Sequence, residues 1–380
     1  MNDSPTASPT PSAPPVHAVP SAPPAPRADV DAYTARVNAD IARFLRAQED
    51  VVGAISGRAT ELVLSIQGLV RGGKRLRPQF AYWGFVGAGG DPDADVIVRA
   101  GAALELFQAA ALIHDDVIDR SDTRRGQPSV HRRFEAIHAA RGWHRDGRHF
   151  GEAAAILAGD LCLSYSEQLF GSIQPVPPAA RAVFDAMRTQ VMAGQFLDVL
   201  EEAAGPSDGP SGAVERARTV LRYKSAKYST ENPMLLGGAL AGAAPDLLGA
   251  YSRFALPLGE AFQLRDDVLG VFGDPVETGK PSGDDLREGK RTELVAHALR
   301  LAAPDDRGFI ERRLGADDLT DAEVERMCEA MRGCGALEET EASIRDLSDR
   351  AFSALAELPV DGDVRRAVRA LGVAAVTRRA

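Results

Sequence analysis

The chain has 380 residues, 44% hydrophobic and 26% charged, which is enough to bury a large core and too balanced for a disordered polymer. Acids outnumber bases by 54 to 44, so nucleic-acid binding driven by overall charge is not expected, and any anionic ligand has to be met by a local cluster of cations. Three cysteines, Cys162, Cys328 and Cys334, form no even framework and no CxxC pair, which argues against a disulfide scaffold and suits buried thiols in a reducing compartment.

Residues 1–28 are rich in Pro, Ala and Ser with almost no large apolar side chain, so they read as a disordered tail. They contain no continuous apolar core of a secretion signal, and no later stretch reads as an uninterrupted membrane span. A cytoplasmic protein without an integral membrane segment is expected. From residue 29 to 380 apolar residues recur at three- and four-residue spacing, which predicts one all-α domain. Alanine-rich segments at 98–116, 152–170, 179–202, 214–228 and 256–272 are each long enough for several helical turns. Gly, Pro and Asp interrupt the pattern at 87–93, 174–178, 205–212 and 274–285. The prediction is a single large helical bundle around a central cavity. Residues 123–151, with many Arg and His, read as a long loop holding at most one short helix.

Two acidic clusters carry the chemistry. In Leu112 to Asp119 (LIHDDVID) the carboxylates of Asp115 and Asp119 fall at i and i+4 on one helix face, with Asp116 beside them. Like charges there repel, and the preceding run Ala109 to Ile113 is wholly apolar, so the pair crowns a buried helix. A hard divalent cation shared with phosphate oxygens, Mg²⁺, would relieve it. A second cluster, QLRDDVLG with Asp266 and Asp267, again ends an apolar helical run before Phe272-Gly273-Asp274-Pro275. If the two face each other across the bundle, they would hold several ions and neutralise a diphosphate.

The basic motifs answer them. Gly72 to Pro78 (GGKRLRP) brings three cations and two glycines to a helix start, where backbone N–H groups also favour anions. Arg124 and Arg125 offer a guanidinium pair for bidentate phosphate contact. Lys224 and Lys227 lie one helical turn apart, and Lys280 and Lys290 follow the second acidic cluster.

In this order GGKRLRP, LIHDDVIDRSDTRRG, AGD at 158–160, GQFLD at 194–198, YKSAKYS, QLRDDVLGVFGDP, TGKPSGDD and EGKRT resemble the trans-isoprenyl diphosphate synthases, or polyprenyl synthetases, over at least residues 72–292. The resemblance implies an isoprenoid-synthase helical fold and a prenyltransferase that condenses isopentenyl diphosphate with an allylic prenyl diphosphate, using about three Mg²⁺ ions per site, as the trinuclear sharing of carboxylates and diphosphate suits. It implies Asp115, Asp119 and Asp266 as direct metal ligands, with Asp116 and Asp267 acting at one remove. Arg124, Lys224, Ser225 and Lys280 would serve the allylic diphosphate, with Lys290 nearby. Lys74, Arg77, Gln108 and Arg125 would hold isopentenyl diphosphate, and Gln195 and Asp198 would line the site. A homodimer is the family habit.

Three departures from the family pattern stand out: Gly270 where many relatives carry a last aspartate of the second cluster, Gln108 in place of a histidine, and Ser225 in place of a threonine. The family's product tail runs down the helix that bears Asp115. Ala111 and Ala110 leave the first level open and Phe107 closes the next, so a C20 product, geranylgeranyl diphosphate, is expected over a farnesyl or longer one. A terpene cyclase would carry a different second motif, and a noncatalytic subunit of a heteromeric synthase would have lost one aspartate cluster.

Overall fold

The computed structural model describes residues 29–205, 212–274 and 282–377; the expected tail at 1–28 and Lys280 lie outside the described residues. The described chain is almost wholly helical, as its periodicity predicts. The first helices are α1 (Val30–Ile55), α2 (Thr60–Val70), α3 (Leu76–Gly87) and α4 (Asp95–Ile118). After a two-residue antiparallel hairpin, Thr123–Arg124 with Gln127–Pro128, come α5 (Val130–Ala140), α6 (Gly147–Gly171), α7 (Pro178–Ala204) and α8 (Ala213–Val220). A π-helical segment, Leu221–Glu231, leads into α9 (Asn232–Leu240) and α10 (Pro245–Phe272). Shorter helices follow from Asp284–Glu288 to Gly362–Val376, the longest being Ala336–Ala356.

Helix α4 is the axis of the bundle, packed against α6, α3 and α1, and its residues from Ile97 to Ala110 are buried almost without break. By length and composition it could cross a membrane, but it lies mostly inside the protein. Around it Tyr33 stacks on Tyr82 with ring centroids 4.4 Å apart, and Phe170 stacks on Phe184 at 4.0 Å, each pair adding aromatic attraction to its buried area. A satellite core joins the end of α10 to the helices beyond it through Val271, Leu286, Leu294, Ile310, Met327 and Met331. The cysteines are free thiols, Cys162 and Cys328 buried and Cys334 half-buried, and burial pushes the Cys162 thiol well above its ordinary pKa.

Two expectations need correction. The segment 123–151 is not a loop: it holds the hairpin, the three-turn α5 and the first turn of α6. Its core face consists of Val130, His131, Phe134 and His138, and the two inward histidines hide the apolar stripe from a composition count. His131 is held by Ser129 at 3.1 Å, and His138 bonds the His144 carbonyl at 3.1 Å beside the Trp143 and Phe150 rings. The second correction concerns 214–228, which is helical but not uniformly α. From Leu221 the turn widens into a π-helix, a form frequent at functional sites, so Lys224 and Lys227 no longer stand one above the other.

Candidate active site

The last turn of α4 delivers Asp115, Asp116 and Asp119 to one end of the bundle. Asp115 receives Lys224 Nζ at 3.0 Å and Arg124 Nη2 at 3.4 Å. Burial opposes its ionisation, yet Lys224, Lys290 and Arg124 together hold its carboxyl well below the usual range. Asp116 is turned inward beneath Arg124, whose Nε donates to it at 2.7 Å, so it orients the guanidinium from behind. Asp119 has a side chain only 2% exposed, and neither of its oxygens accepts a hydrogen bond. Its nearest cation is Lys290 Nζ at 3.3 Å. Burial and the Asp115 charge raise Asp119 to about 6. A deeply buried carboxylate with open lone pairs, one turn from a second carboxylate, is a donor set suited to a hard divalent cation.

Helix α7 contributes Gln195 and Asp198, and the π-helix contributes Lys224 between them. The approach depends on Gly194: a Cβ there would lie 2.3 Å from the Lys224 backbone nitrogen, so only glycine lets the two backbones come this close. Lys224 then bridges Asp198, at 2.5 Å, and Asp115 on α4. Gln195 keeps a buried Nε2 with no acceptor, and Gln108, two turns before Asp115, keeps a buried Oε1 with no donor. Ser225 follows Lys224 in the π-helix. Lys227 is not part of this group, because it pairs with Glu231 at 2.5 Å.

The second cluster lies in the last turns of α10. Asp267 accepts from Gln263 at 3.0 Å, and burial followed by the Asp285 and Asp266 charges raises its carboxyl to about 8. Lys290 connects the first cluster to the segment that follows the second: its ammonium lies 3.3 Å from Asp119, 3.5 Å from Asp285 and 2.5 Å from Glu288. Glu288 in turn accepts from Ser121 at 2.6 Å, just past the first cluster. Lys290 therefore ties Asp119 at the end of α4 to the short helix Asp284–Glu288, whose Asp285 lies against α10 at Gly270.

On the other flank the GGKRLRP loop divides its cations. Arg75 has φ 51° and turns inward, donating to Asn38 at 2.7 Å, to Glu105 at 2.5 Å and to the Val70 carbonyl at 2.6 Å. It is a strut and not one of three phosphate-facing cations. Lys74 is left exposed beside it, while Arg77 donates to Ser229 at 2.7 Å and lies 3.9 Å over the Tyr228 ring. Arg125 comes up beside the loop, its Nη1 3.0 Å from where a Cβ on Gly73 would stand. Burial, then the positive charge of Arg75, Arg124 and Arg77, outweighs Glu105 and lowers the Arg125 pKa. Crowded guanidinium groups of this kind are relieved by an anion.

Residues absent from the sequence-based set also enter the site. Asp285 and Glu288 pair with Lys290, and Ser121 donates to Glu288. Glu202, near the end of α7, is raised to about 7 by burial and by Asp198 and Asp119. Tyr228 carries Arg77 on one face and meets Phe107 edge-on at 5.8 Å, linking the basic flank to the level beneath Ala110 and Ala111. The YKSAKYS and TGKPSGDD motifs contain Tyr228 and Asp285, but only the fold shows where they point.

The sequence profile described as Polyprenyl synthetase matches residues 60–331. The chain belongs to the polyprenyl synthetase family. Within that family it is 30% identical over 266 residues to a short chain isoprenyl diphosphate synthase of Methanocaldococcus jannaschii, covering 70% of this chain and 74% of the relative. It is 31% identical over 310 residues to the octaprenyl diphosphate synthase of Escherichia coli, covering 81% and 86%. Among solved structures it resembles a geranylgeranyl pyrophosphate synthase from Corynebacterium glutamicum, complexed with isoprenyl diphosphate and magnesium. The TM-score there is 0.87 at 39% identity, over 92% of this chain and all of that one. Membership makes this polyprenyl synthetase a prenyltransferase with the isoprenoid-synthase fold. The relatives' names span short-chain to octaprenyl products, so they leave its chain length open.

Proposed function

We propose that residues 29–380 form one catalytic domain that joins isopentenyl diphosphate to an allylic diphosphate and releases a C20 product, geranylgeranyl diphosphate. The observation that carries this reading is the convergence of Asp115 and Asp119 with Lys224, Arg124 and Lys290, the last of which also pairs with Asp285 just beyond α10. Asp115, Asp119 and Asp266 are the proposed holders of Mg²⁺, three ions when diphosphate is present, and those ions supply charge neutralisation to the leaving group. Asp116 fixes Arg124 beside the proposed allylic-diphosphate position, which it serves together with Lys224, and Lys280 and Ser225 complete that set. Lys74, Arg77, Arg125 and Gln108 hold isopentenyl diphosphate on the basic flank.

The allylic C–O bond breaks, its electron pair leaving on diphosphate; the isopentenyl double bond then forms the new C–C bond, and a proton passes to the departing diphosphate. Fixed cations accelerate the first step because they face the charge as it develops and need no reorganisation. Apolar α4 and α6 residues keep water from the cation. Gln195 and Asp198 line this cavity, and Asp267 assists Asp266 from behind. Ala111 and Ala110 admit the growing tail and Phe107 stops it.

A homodimer is supported by an exposed apolar stripe on α7, Met192, Phe196 and Leu200 at i, i+4 and i+8, with Ile156 and Leu157 exposed on α6. Three free cysteines suit a cytoplasmic location. The test is incubation of the purified chain with labelled isopentenyl diphosphate, Mg²⁺ and C5, C10 or C15 allylic starters. A dominant C20 product supports the reading, only C15 overturns the proposed floor, and no incorporation overturns the reaction.

A further inference from the structure

Lys224 reaches Asp115 and Asp198 from a run of π winding, Leu221–Glu231, far longer than the single turn in which that winding is ordinarily found. Contacts from outside the segment have to keep it open. Backbone presses on it from two sides: Gly194 of α7 lies against the Lys224 nitrogen, and a Cβ on Gly259 of α10 would stand 2.5 Å from the Ala226 carbonyl oxygen and 3.0 Å from its carbon. These approaches set how near the helices come. A directional bond is needed to set the winding.

Thr230 supplies one. It is completely buried, and its hydroxyl lies 2.7 Å from the Ala255 carbonyl of α10 and 3.0 Å from the Ala226 carbonyl of its own segment. One proton serves two acceptors, and the shorter contact is the one that crosses to α10. In α winding the Ala226 carbonyl would be the partner of the Thr230 N–H, so the hydroxyl competes there with α pairing. Pro257 takes one N–H out of the α10 ladder close to Ala255, so both elements depart from regular α bonding where Thr230 joins them. We infer that Thr230 is a positioning residue for prenyl transfer: by tying the π-helix to α10 it holds open the turn that sets Lys224 at the allylic diphosphate.

Other ties secure the two ends of the segment. Arg222 Nε donates to Glu260 of α10 at 2.6 Å, and Ser252 of α10 donates to Glu231, which also holds Lys227 at 2.5 Å. Thr230 is the tie whose acceptor within the segment is only two residues from Lys224. Each residue of α winding turns the chain by about 100°. Closing the turn by one residue would swing Lys224 by that angle, away from Asp115 and Asp198 and back toward the face of Lys227.

This inference rests on the proposed function, and its test separates the two. The full chain is assayed with labelled isopentenyl diphosphate, Mg²⁺ and a C15 starter, as the parent, Thr230→Val, Thr230→Ser, Lys224→Met and Thr230→Val/Lys224→Met. No turnover by the parent overturns the proposed reaction and the inference with it. With parent turnover in place, Thr230→Val, which keeps the volume and removes the donor, is expected to raise KM for the starter at least about fivefold and KM for isopentenyl diphosphate less than about threefold. Thr230→Ser, which restores the hydroxyl, is expected to return the starter KM to within about threefold of the parent. On the Lys224→Met background Thr230→Val is expected to add less than about twofold, because it acts through Lys224. The inference is overturned by a folded Thr230→Val enzyme whose starter KM rises less than about fivefold, or whose two KM values rise together. It is overturned equally by a Thr230→Ser enzyme that behaves like Thr230→Val, since the loss then follows packing, and by effects of Thr230→Val and Lys224→Met that multiply. Should Thr230→Val not fold, Thr230→Cys, of similar size and a weak donor, takes its place in every comparison with the same outcomes.

Discussion

Phe107→Ala tests the proposed tail floor where its geometry is best defined. Phe107 is fully buried and stands eight residues before Asp115, so it lies about 12 Å down the α4 axis at 1.5 Å per residue. Tyr228 braces it edge-on at 5.8 Å, leaving the ring no alternative position on that side. Truncation opens the level below, and the next large side chain on that side of α4 is Leu104, one turn further and also fully buried. One turn rises about 5.4 Å, close to one extended isoprene unit, so the product is expected to gain one unit, from C20 to C25, and stop there. The same change should cost about 3–5 kcal/mol, measured by urea unfolding, as a buried Phe→Ala does. Extraction and chromatography of the labelled products gives the length distribution. A folded Phe107→Ala enzyme that shows the expected destabilisation and still ends at C20 would remove Phe107 from the floor and refute the reasoning.

Other consequences are as open to measurement. Arg75→Met leaves Glu105 buried without its cation and is expected to cost about 3–5 kcal/mol in urea unfolding; a loss below 1 kcal/mol would return Arg75 to the list of ligand-facing cations. Glu293, 1% exposed, is held at about 2 against burial by His297, Arg218 and Ser343. Its folded pKa is depressed, so its contribution, about 3 kcal/mol, is complete above the unfolded value near 4.5 and is lost as pH falls toward 2. Glu293→Gln should therefore flatten the acid limb of a stability-versus-pH curve, and an unchanged limb would count against this ion pair. Phe196, 65% exposed at the centre of the α7 stripe, is expected to anchor the proposed homodimer. Phe196→Asp should weaken it at least about thirtyfold by light scattering with size exclusion, and a parent chain that is already monomeric would remove that interface.

The sequence made the two aspartate clusters legible because each ends a long apolar run, so its place at the end of a buried helix follows from helical periodicity. The hairpin and α5 were hidden because His131 and His138, polar by type, point into the core, one toward Ser129 and the other among aromatic rings. Nothing in YKSAKYS distinguishes π from α winding, and so the parting of Lys224 from Lys227 could not be read. Arg75 looked like a phosphate cation because its partner Glu105 lies thirty residues away. Gly270 was visible as a departure, but Asp285, which lies against it, comes from a separate segment, fifteen residues later, which the satellite core folds back onto α10.

The most direct test of the account is a comparison of prenyl transfer by the parent, Asp115→Asn and Asp266→Asn enzymes at saturating Mg²⁺ with isopentenyl diphosphate and a C15 starter. The proposed metal-holding carboxylates predict a C20 product from the parent and at least a hundredfold loss, roughly the effect of removing one transition-state charge partner, in each variant. Parent-like turnover in either variant would contradict it.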